Sequence, residues 1–102
     1  MTSEHERMAD KVEIKNVLQP GKTYRVDAEK FAAASKALLS ILPTDKPGLT
    51  QSQMSAAMRD ALQGDMFPGS TAGWWMKSAQ LHLEAEGLVL RDPTKPLTWR
   101  KA

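Results

Sequence analysis

The residues with the clearest potential for chemistry are the basic side chains near the C-terminus. Residues 88–102 hold four basic residues and one acidic residue, while the whole chain of 102 residues has a formal net charge of only +2. Such a segment could bind phosphate groups, and each contact would add to an affinity that weakens with salt. The alternative is a solvated hairpin whose charges keep an edge strand from aggregating. The four basic residues are Arg91, Lys95, Arg100 and Lys101.

Two other stretches could hold a ligand, but each has a simpler interpretation. Residues 69–73 (Gly-Ser-Thr-Ala-Gly) open a predicted helix whose free N–H groups could bind an anion. The Gly-Lys-Ser/Thr order of a phosphate-binding loop is missing, so ordinary helix capping is the simpler explanation. Trp74 and Trp75 could stack on bases, but adjacent helical residues point about 100° apart and cannot form one platform. We expect Trp75 in the core and Trp74 against the N-terminal strands or a partner subunit.

Neither catalysis nor metal binding is indicated by any set of residues. The two histidines, His5 and His82, have no further ligands at the spacing that a metal site needs. No nucleophile with a nearby base, and no pair of carboxylates suited to acid–base chemistry, stands out. The sequence therefore predicts a protein that is not an enzyme and that has no metal and no cofactor.

Length and composition indicate one small domain. A chain with 41% hydrophobic residues can build one core. The absence of cysteine removes disulfides and thiolate metal sites, which suits a cytoplasmic protein. The N-terminus has no apolar run, so neither a signal peptide nor a membrane span is indicated. We expect residues 1–10 to be a disordered leader and residues 11–102 to form a single domain.

The basic C-terminal residues must be positioned by the helix that precedes them. Ser70 or Thr71 can cap its first turn, and Gly87 can adopt the left-handed conformation that ends it. After Gly87 the apolar period changes to two, which predicts two strands joined by a turn at residues 92–96. The apolar arc of the helix is wide, so we expect it to be the most buried helix. One row of this arc consists of Ala72, Trp75, Ala79 and Leu83. The second row lies beside it and consists of Trp74, Ser78, Leu81 and Ala85.

The first part of the domain is predicted to contain a hairpin and a helix. Alternating apolar residues predict a strand from residue 11 to residue 17 or 18, and residues 23–26 form a second. Asp27 can cap a helix that ends before Pro43. The inward stripe of this helix is Phe31, Ala34, Leu38 and Leu42.

A shorter helix is predicted to follow. Thr50 and Gln53 have the spacing of a capping box, and Gly64 stops the helix. Leu49 stands where a minimal strand could form, and residues 66–67 are apolar enough to dock onto the core. The predicted inward positions are Met54, Ala57, Met58, Ala61 and Leu62.

The order of three helices, a Gly-Leu pair and a hairpin resembles the winged helix-turn-helix superfamily over roughly Asp27 to Lys101. Residues 83–91 (Leu-Glu-Ala-Glu-Gly-Leu-Val-Leu-Arg) look like the end of the recognition helix and the first wing strand of many bacterial regulators. Residues 68–75 and 93–99 also look like a small uncharacterised bacterial family of about this length, which implies a fold and no assigned activity. The fold expected is therefore α+β and winged-helix-like, with three helices, a C-terminal β-hairpin wing and short N-terminal strands.

This resemblance implies that the third helix enters the major groove of double-stranded DNA while the wing contacts the backbone or the minor groove. The outward positions that could read bases or bind phosphate are Lys77 and Gln80, and the wing adds its four basic residues. The alternative is a protein-interaction or homodimerisation module with the same fold and no DNA binding. In that case Trp74 and Leu81 would lie at the contact.

Overall fold

A computed structural model of the chain describes residues 11–62, Phe67 and residues 71–102. The predicted leader, Gly64, Met66 and Ser70 lie outside this part of the chain. Within the described residues, no helix is both long enough and apolar enough to cross a membrane. The elements in chain order are β1 (Lys11–Lys15), β2 (Thr23–Asp27), α1 (Ala28–Ile41), β3 (Leu49–Thr50), α2 (Gln51–Ala61), α3 (Thr71–Ala85), β4 (Val89–Asp92) and β5 (Thr98–Lys101).

The two N-terminal strands form an antiparallel hairpin, as predicted. Lys11 lies opposite Asp27 and Lys15 opposite Thr23. The first strand is shorter than expected, because beyond Lys15 the backbone N–H of Val17 donates to the carbonyl of Leu81 on α3 at 3.4 Å. This bond ties the end of the hairpin to the third helix.

Side-chain caps begin the first two helices where the sequence placed them. Asp27 accepts a hydrogen bond from the backbone N–H of Lys30 at 2.9 Å. Thr50 accepts from the N–H of Gln53 at 3.2 Å, and the Gln53 side chain accepts from the N–H of Thr50 at 2.9 Å. The capping box is therefore complete, and both starts satisfy N–H groups that the helix itself leaves free.

The third helix ends as its glycine predicts. Gly87 has a φ of +79°, in the left-handed region. The N–H of Leu88 donates to the carbonyl of Leu83 at 2.9 Å, and that of Gly87 to the carbonyl of Glu84 at 3.1 Å. These two bonds satisfy carbonyls of the last turn and turn the chain into β4.

A three-stranded antiparallel sheet of order β3-β5-β4 follows α3. The predicted C-terminal hairpin is confirmed as the β4–β5 pair, with Arg91 opposite Trp99, although each strand starts one residue later than predicted. The minimal strand is also confirmed, since Leu49 pairs with Trp99 and Thr50 with Thr98. The described residues thus form three helices and two small antiparallel sheets, an α+β fold compatible with a winged-helix-like architecture.

The core lies between the three helices, with the hairpin and sheet at its edges. Met76 is buried although neither predicted row contained it, because the inward face of α3 is centred one residue later than Trp75. Trp75 itself is half-buried against the core, and Ala61 is exposed rather than inward. The buried helical residues include Phe31, Ala34, Leu38, Leu42, Met54, Met58, Met76, Ala79 and Leu83.

Candidate functional site

Two arginines of the predicted DNA surface are held in ion pairs within the domain. The guanidinium of Arg91 donates to Glu84 through Nε at 2.8 Å and through a terminal nitrogen at 3.1 Å. It also lies 5.3 Å from the ring centroid of Trp99. Arg100 donates through Nε to Asp92 at 2.9 Å. Binding of phosphate by either arginine would have to compete with a partly buried carboxylate.

Gln80 is buried, so its predicted outward position is wrong. Its exposed fraction is 0%, and its amide nitrogen lies 3.4 Å from Oε2 of Glu84. Gln80 follows Met76 by four residues, so it lies on the same side of the helix as this core residue. A residue in this position cannot reach a base edge while the domain is folded.

Glu84 is the centre of a polar cluster that the sequence did not reveal. Its side chain is only 6% exposed, and it accepts from the indole N–H of Trp99 at 3.1 Å in addition to Arg91 and Gln80. The feature of the sequence that could have indicated this cluster is an acidic residue, Glu84, before Gly87 and a basic residue, Arg91, after it. We call Gln80, Glu84, Arg91 and Trp99 the polar cluster; it fastens α3 to the C-terminal sheet.

The remaining predicted cations are separated from one another. Lys77 lies exposed on α3, Lys95 lies in the exposed turn between β4 and β5, and Lys101 lies opposite Val89 at the base of this hairpin. None of the three forms an ion pair with another residue of the described part of the chain. The two wing lysines therefore stand at opposite ends of the β4–β5 hairpin.

A groove of about 300 Å³ lies between the β1–β2 hairpin and the outer face of α3. Trp74 is 55% exposed and Tyr24 is 42% exposed at this groove, while Ile14 is buried. None of the described residues that line it is acidic. We call it the hairpin–helix groove, and its lining residues are Ile14, Lys15, Asn16, Tyr24, Trp74, Lys77, Ser78 and Leu81.

Leu81 lies in the lining of this groove and is not an exposed residue. It is two positions from both Ala79 and Leu83, about 200° around the helix from each, so it points away from the helical core. Its exposed fraction is nevertheless only 8%. Leu81 therefore lies on the outer face of α3, as predicted, but it is covered at the groove and not exposed. Its place at a protein interface stays a prediction.

Trp74 is held at the groove by a row of aromatic rings. Its ring centroid is 4.9 Å from that of Trp75 at an interplanar angle of 85°, and Trp75 is 6.1 Å from Phe67 at 71°. Edge-to-face contacts of this kind favour one orientation of each ring. The half-exposed indole is therefore supported by Trp75, which in turn packs against Phe67, and Phe67 is buried as predicted.

A second depression, of about 350 Å³, lies on the other side of Lys15 and Asn16. It runs along the turn between β1 and β2 to Ala85 at the end of α3. Pro20 and Val17 contribute to its wall, but no aromatic side chain does. Its lining is about as apolar as that of the hairpin–helix groove, but it lacks an exposed aromatic anchor such as Trp74 or Tyr24.

The wall between the two depressions is fastened to α3 by polar contacts of Lys15. Its backbone N–H donates to Nδ1 of His82 at 2.9 Å, and its ammonium group lies 2.8 Å from Oε2 of Glu86. Phe31 of α1 packs edge-on against the imidazole, with centroids 5.1 Å apart. We call the contacts among Lys15, His82 and Glu86 the hairpin clasp. No spacing in the sequence pointed to it, because 67 residues separate Lys15 from His82.

The pKa values of His82 and Glu86 are both shifted in the clasp. Burial lowers the pKa of His82, Glu86 acts in the opposite direction, and Lys15 lowers the pKa further. The hydrogen bond from Lys15 lowers the pKa of the Glu86 carboxyl, and the positive charge of Lys15 acts in the same direction. Both shifts favour the neutral imidazole and the ionised carboxylate that the clasp contains.

The described residues hold no group of three or more His, Cys, Asp or Glu side chains that could bind a metal ion. Comparisons of the chain with curated proteins and with solved structures gave no significant match. A protein-family model described as a family of unknown function, DUF6958, matches residues 11–99. Because this match includes the whole hairpin–helix groove and nearly all of the fold, the chain belongs to the family DUF6958, whose function is unknown.

Proposed function

We propose that this domain is a protein-interaction module, without enzymatic activity, whose hairpin–helix groove binds a short apolar segment with acidic flanks from a partner protein. The observation that carries the proposal is the position of Trp74. This side chain is 55% exposed, yet it is supported by Trp75 at the edge of a groove with an apolar floor. Large aromatic side chains in such settings are the commonest anchors of protein interfaces.

The energy available from Trp74 is large enough for an anchor. A tryptophan side chain buries up to about 250 Å² when fully covered, so the exposed part here is roughly 140 Å². At about 25 cal/mol per Å², covering it contributes about 3 kcal/mol. Tyr24, 42% exposed at the same groove, adds further apolar area.

The charges around the groove favour an acidic partner rather than a second copy of the chain. Among the residues that the structure describes, Lys77 and Lys15 line the groove and no acidic side chain does. Lys15 is neutralised by Glu86, which leaves the ammonium group of Lys77 to pair with a carboxylate of the partner. In a twofold dimer the same face meets itself, so two basic grooves would oppose each other. We therefore place the complementary acidic groups on a different protein.

This proposal treats the domain as a winged-helix-like fold in which an added N-terminal hairpin covers part of the third helix. Leu81 lies near the middle of the outer face of α3, where a DNA-reading helix presents side chains to the major groove. The β1–β2 hairpin occupies the space beside it. We also propose a cytoplasmic location, because the chain contains no cysteine.

Selection from a library of displayed peptides tests the proposal without knowledge of the partner. We expect the domain to enrich peptides that carry an aromatic or large aliphatic residue flanked by Asp or Glu. Binding should weaken at least tenfold for Trp74→Ala and remain unchanged for Leu88→Ala, a matched control because Leu88 is 51% exposed outside the groove. Equal binding by Trp74→Ala would contradict the proposal. Self-association that is lost in Trp74→Ala would replace it with homodimerisation.

A second candidate function, nucleic-acid binding, is favoured by the unpaired lysines. Lys77, Lys95 and Lys101 form no ion pair within the described part of the chain and could contact phosphates of double-stranded DNA. Gln80 is not included, because it is buried.

A titration with non-specific duplex DNA at two salt concentrations tests this candidate. Three phosphate contacts predict a slope of log K against log salt near −2.7, and Lys95→Ala should reduce the magnitude of this slope by about 0.9. Absence of binding at low salt, or a slope that Lys95→Ala leaves unchanged, would exclude it.

A further inference from the structure

The wall of the hairpin–helix groove is attached to α3 through few polar contacts. Beyond Ile14, β1 is tied to the helix by the Lys15 N–H to His82 bond of 2.9 Å and by the Val17 N–H to Leu81 carbonyl bond of 3.4 Å. The Lys15–Glu86 ion pair lies beside them on the surface. Ile14 and Val26 hold the middle of the hairpin in the core, so these contacts determine whether the strand end beyond Ile14 stays in place.

The first of these bonds requires a neutral imidazole. Nδ1 of His82 accepts a hydrogen bond from the backbone N–H of Lys15, so in the neutral ring the proton is on Nε2. Protonation converts Nδ1 into a donor facing another donor, and the bond is lost. It also places a second positive charge next to the ammonium group of Lys15.

The groups around His82 differ in what they do to its protonated form. Lys15 from β1 opposes the added charge, Glu86 from the same helix favours it, and α1 contributes the uncharged ring of Phe31. Burial is the largest influence and lowers the pKa of His82. The docked hairpin therefore excludes the proton more than the released hairpin does.

We propose that protonation of His82 releases the end of β1 from α3 and so opens the wall of the hairpin–helix groove. The groove is then complete at neutral pH and incomplete in mildly acidic solution. The consequence for a partner rests on the proposed function, since an apolar segment bound between hairpin and helix would lose one of its two walls.

The direction of the pH dependence follows from linkage. The released state has the ordinary histidine pKa of about 6.5, and the docked state has a lower pKa. Release therefore takes up a proton at pH values between the two. Docking is most favourable above about pH 6.5 and weakens as the pH falls towards the lowered value. The Glu86 carboxyl, with its own lowered pKa, loses its charge only in more acidic solution, so His82 responds first.

Amide hydrogen exchange measured by NMR tests the release on the intact chain without any partner. The protection factors of the Lys15 and Val17 amides, corrected for the pH dependence of intrinsic exchange, should fall by up to tenfold per pH unit below about pH 6.5, because opening takes up one proton. The Leu42 amide, bonded to the Leu38 carbonyl at 3.2 Å, serves as an internal reference that should not change with them. Constant protection of Lys15 and Val17 through the titration of His82 would overturn the proposal.

Substitution of His82 separates its titration from that of other groups. In His82→Asn the amide oxygen can occupy the position of Nδ1 and accept from Lys15, but it does not titrate. This variant should stay docked and lose the pH dependence between about pH 7 and pH 5, whereas His82→Ala should show released amides at both pH values. A pH dependence that persists in His82→Asn would contradict the role of His82. His5→Ala, which removes the second histidine of the sequence, should leave the profile unchanged.

The link to binding is tested separately with a selected peptide. Its affinity for the wild-type domain should fall between pH 7.5 and pH 5.5, and its affinity for His82→Asn should change less. If the amides are released but peptide affinity stays constant, the release is real and the groove wall is not part of the binding site. If no peptide is selected at any pH, the exchange experiment still decides whether the clasp responds to protonation.

Discussion

Replacement of Glu84 by glutamine tests the polar cluster that joins α3 to the C-terminal sheet. The carboxylate is 6% exposed and accepts from Arg91 at 2.8 and 3.1 Å and from Trp99 at 3.1 Å. Glutamine has nearly the same shape but replaces one acceptor by a donor and removes the charge. Whichever end carries the NH₂ group, at least one N–H of Arg91 then faces another donor.

The expected loss of stability in Glu84→Gln follows from the contacts that are lost. A hydrogen bond to a charged group contributes about 1.5–3 kcal/mol, and leaving a buried donor unsatisfied adds a desolvation penalty. The side chain of Arg91 is 29% exposed, so water can satisfy part of it and reduce this cost. We therefore expect Glu84→Gln to lower the free energy of unfolding by about 2–3 kcal/mol, less than the 3–5 kcal/mol typical of a fully buried pair.

Urea denaturation followed by circular dichroism measures this change directly. Glu13→Gln, the same chemical change at an exposed position of β1, should leave the denaturation midpoint close to that of the wild type. Arg91→Met combined with Glu84→Gln should cost less than the sum of the single changes, because each removes the same interaction. A loss below about 0.5 kcal/mol for Glu84→Gln, the range of ordinary surface substitutions, would refute the reasoning.

Three further substitutions test the local structure, each by the free energy of unfolding. Gly48→Ala places a methyl group into the backbone of Trp99 and should cost about 1–3 kcal/mol or more, whereas a neutral result would mean that β3 moves freely from β5. Gly87→Ala should cost about 1–2 kcal/mol because its φ is +79°, and no loss would show that the end of α3 readjusts. Thr50→Ala should cost about 1 kcal/mol by removing the cap bond to Gln53, and Thr50→Ser should restore most of it; equal stability of both variants would exclude the cap.

The local features of the fold could be predicted from the sequence because they depend on nearby residues. Asp27 and Thr50 cap helices through side-chain geometry that spans three residues. The change of apolar period at Gly87 correctly predicted a strand pair, since Val89 is buried and Leu88 is exposed. The short β3 strand was expected from the resemblance to winged helices, which often have a minimal strand at the position of Leu49.

The candidate site could not be predicted in the same way because distant elements form it. The helix pattern shows that Leu81 points away from Ala79, but it does not show that the N-terminal hairpin lies over this face. Gln80 and Arg91 were expected to face solvent, whereas both are held by Glu84. A count of charged residues treats each one as free. It therefore overstates the positive charge available on a surface where carboxylates neutralise the arginines.

The measurement that tests the interaction function most directly is a charge exchange across the hairpin–helix groove. A selected acidic peptide and a version with its Asp and Glu residues replaced by Lys are titrated against the wild-type domain and against Lys77→Glu, an exposed change. We predict that the acidic peptide binds the wild type more tightly, and that the basic peptide regains affinity with Lys77→Glu while still requiring Trp74. Affinities for the two peptides that do not change with the charge of residue 77 would contradict the assignment of this groove as a site for acidic partners.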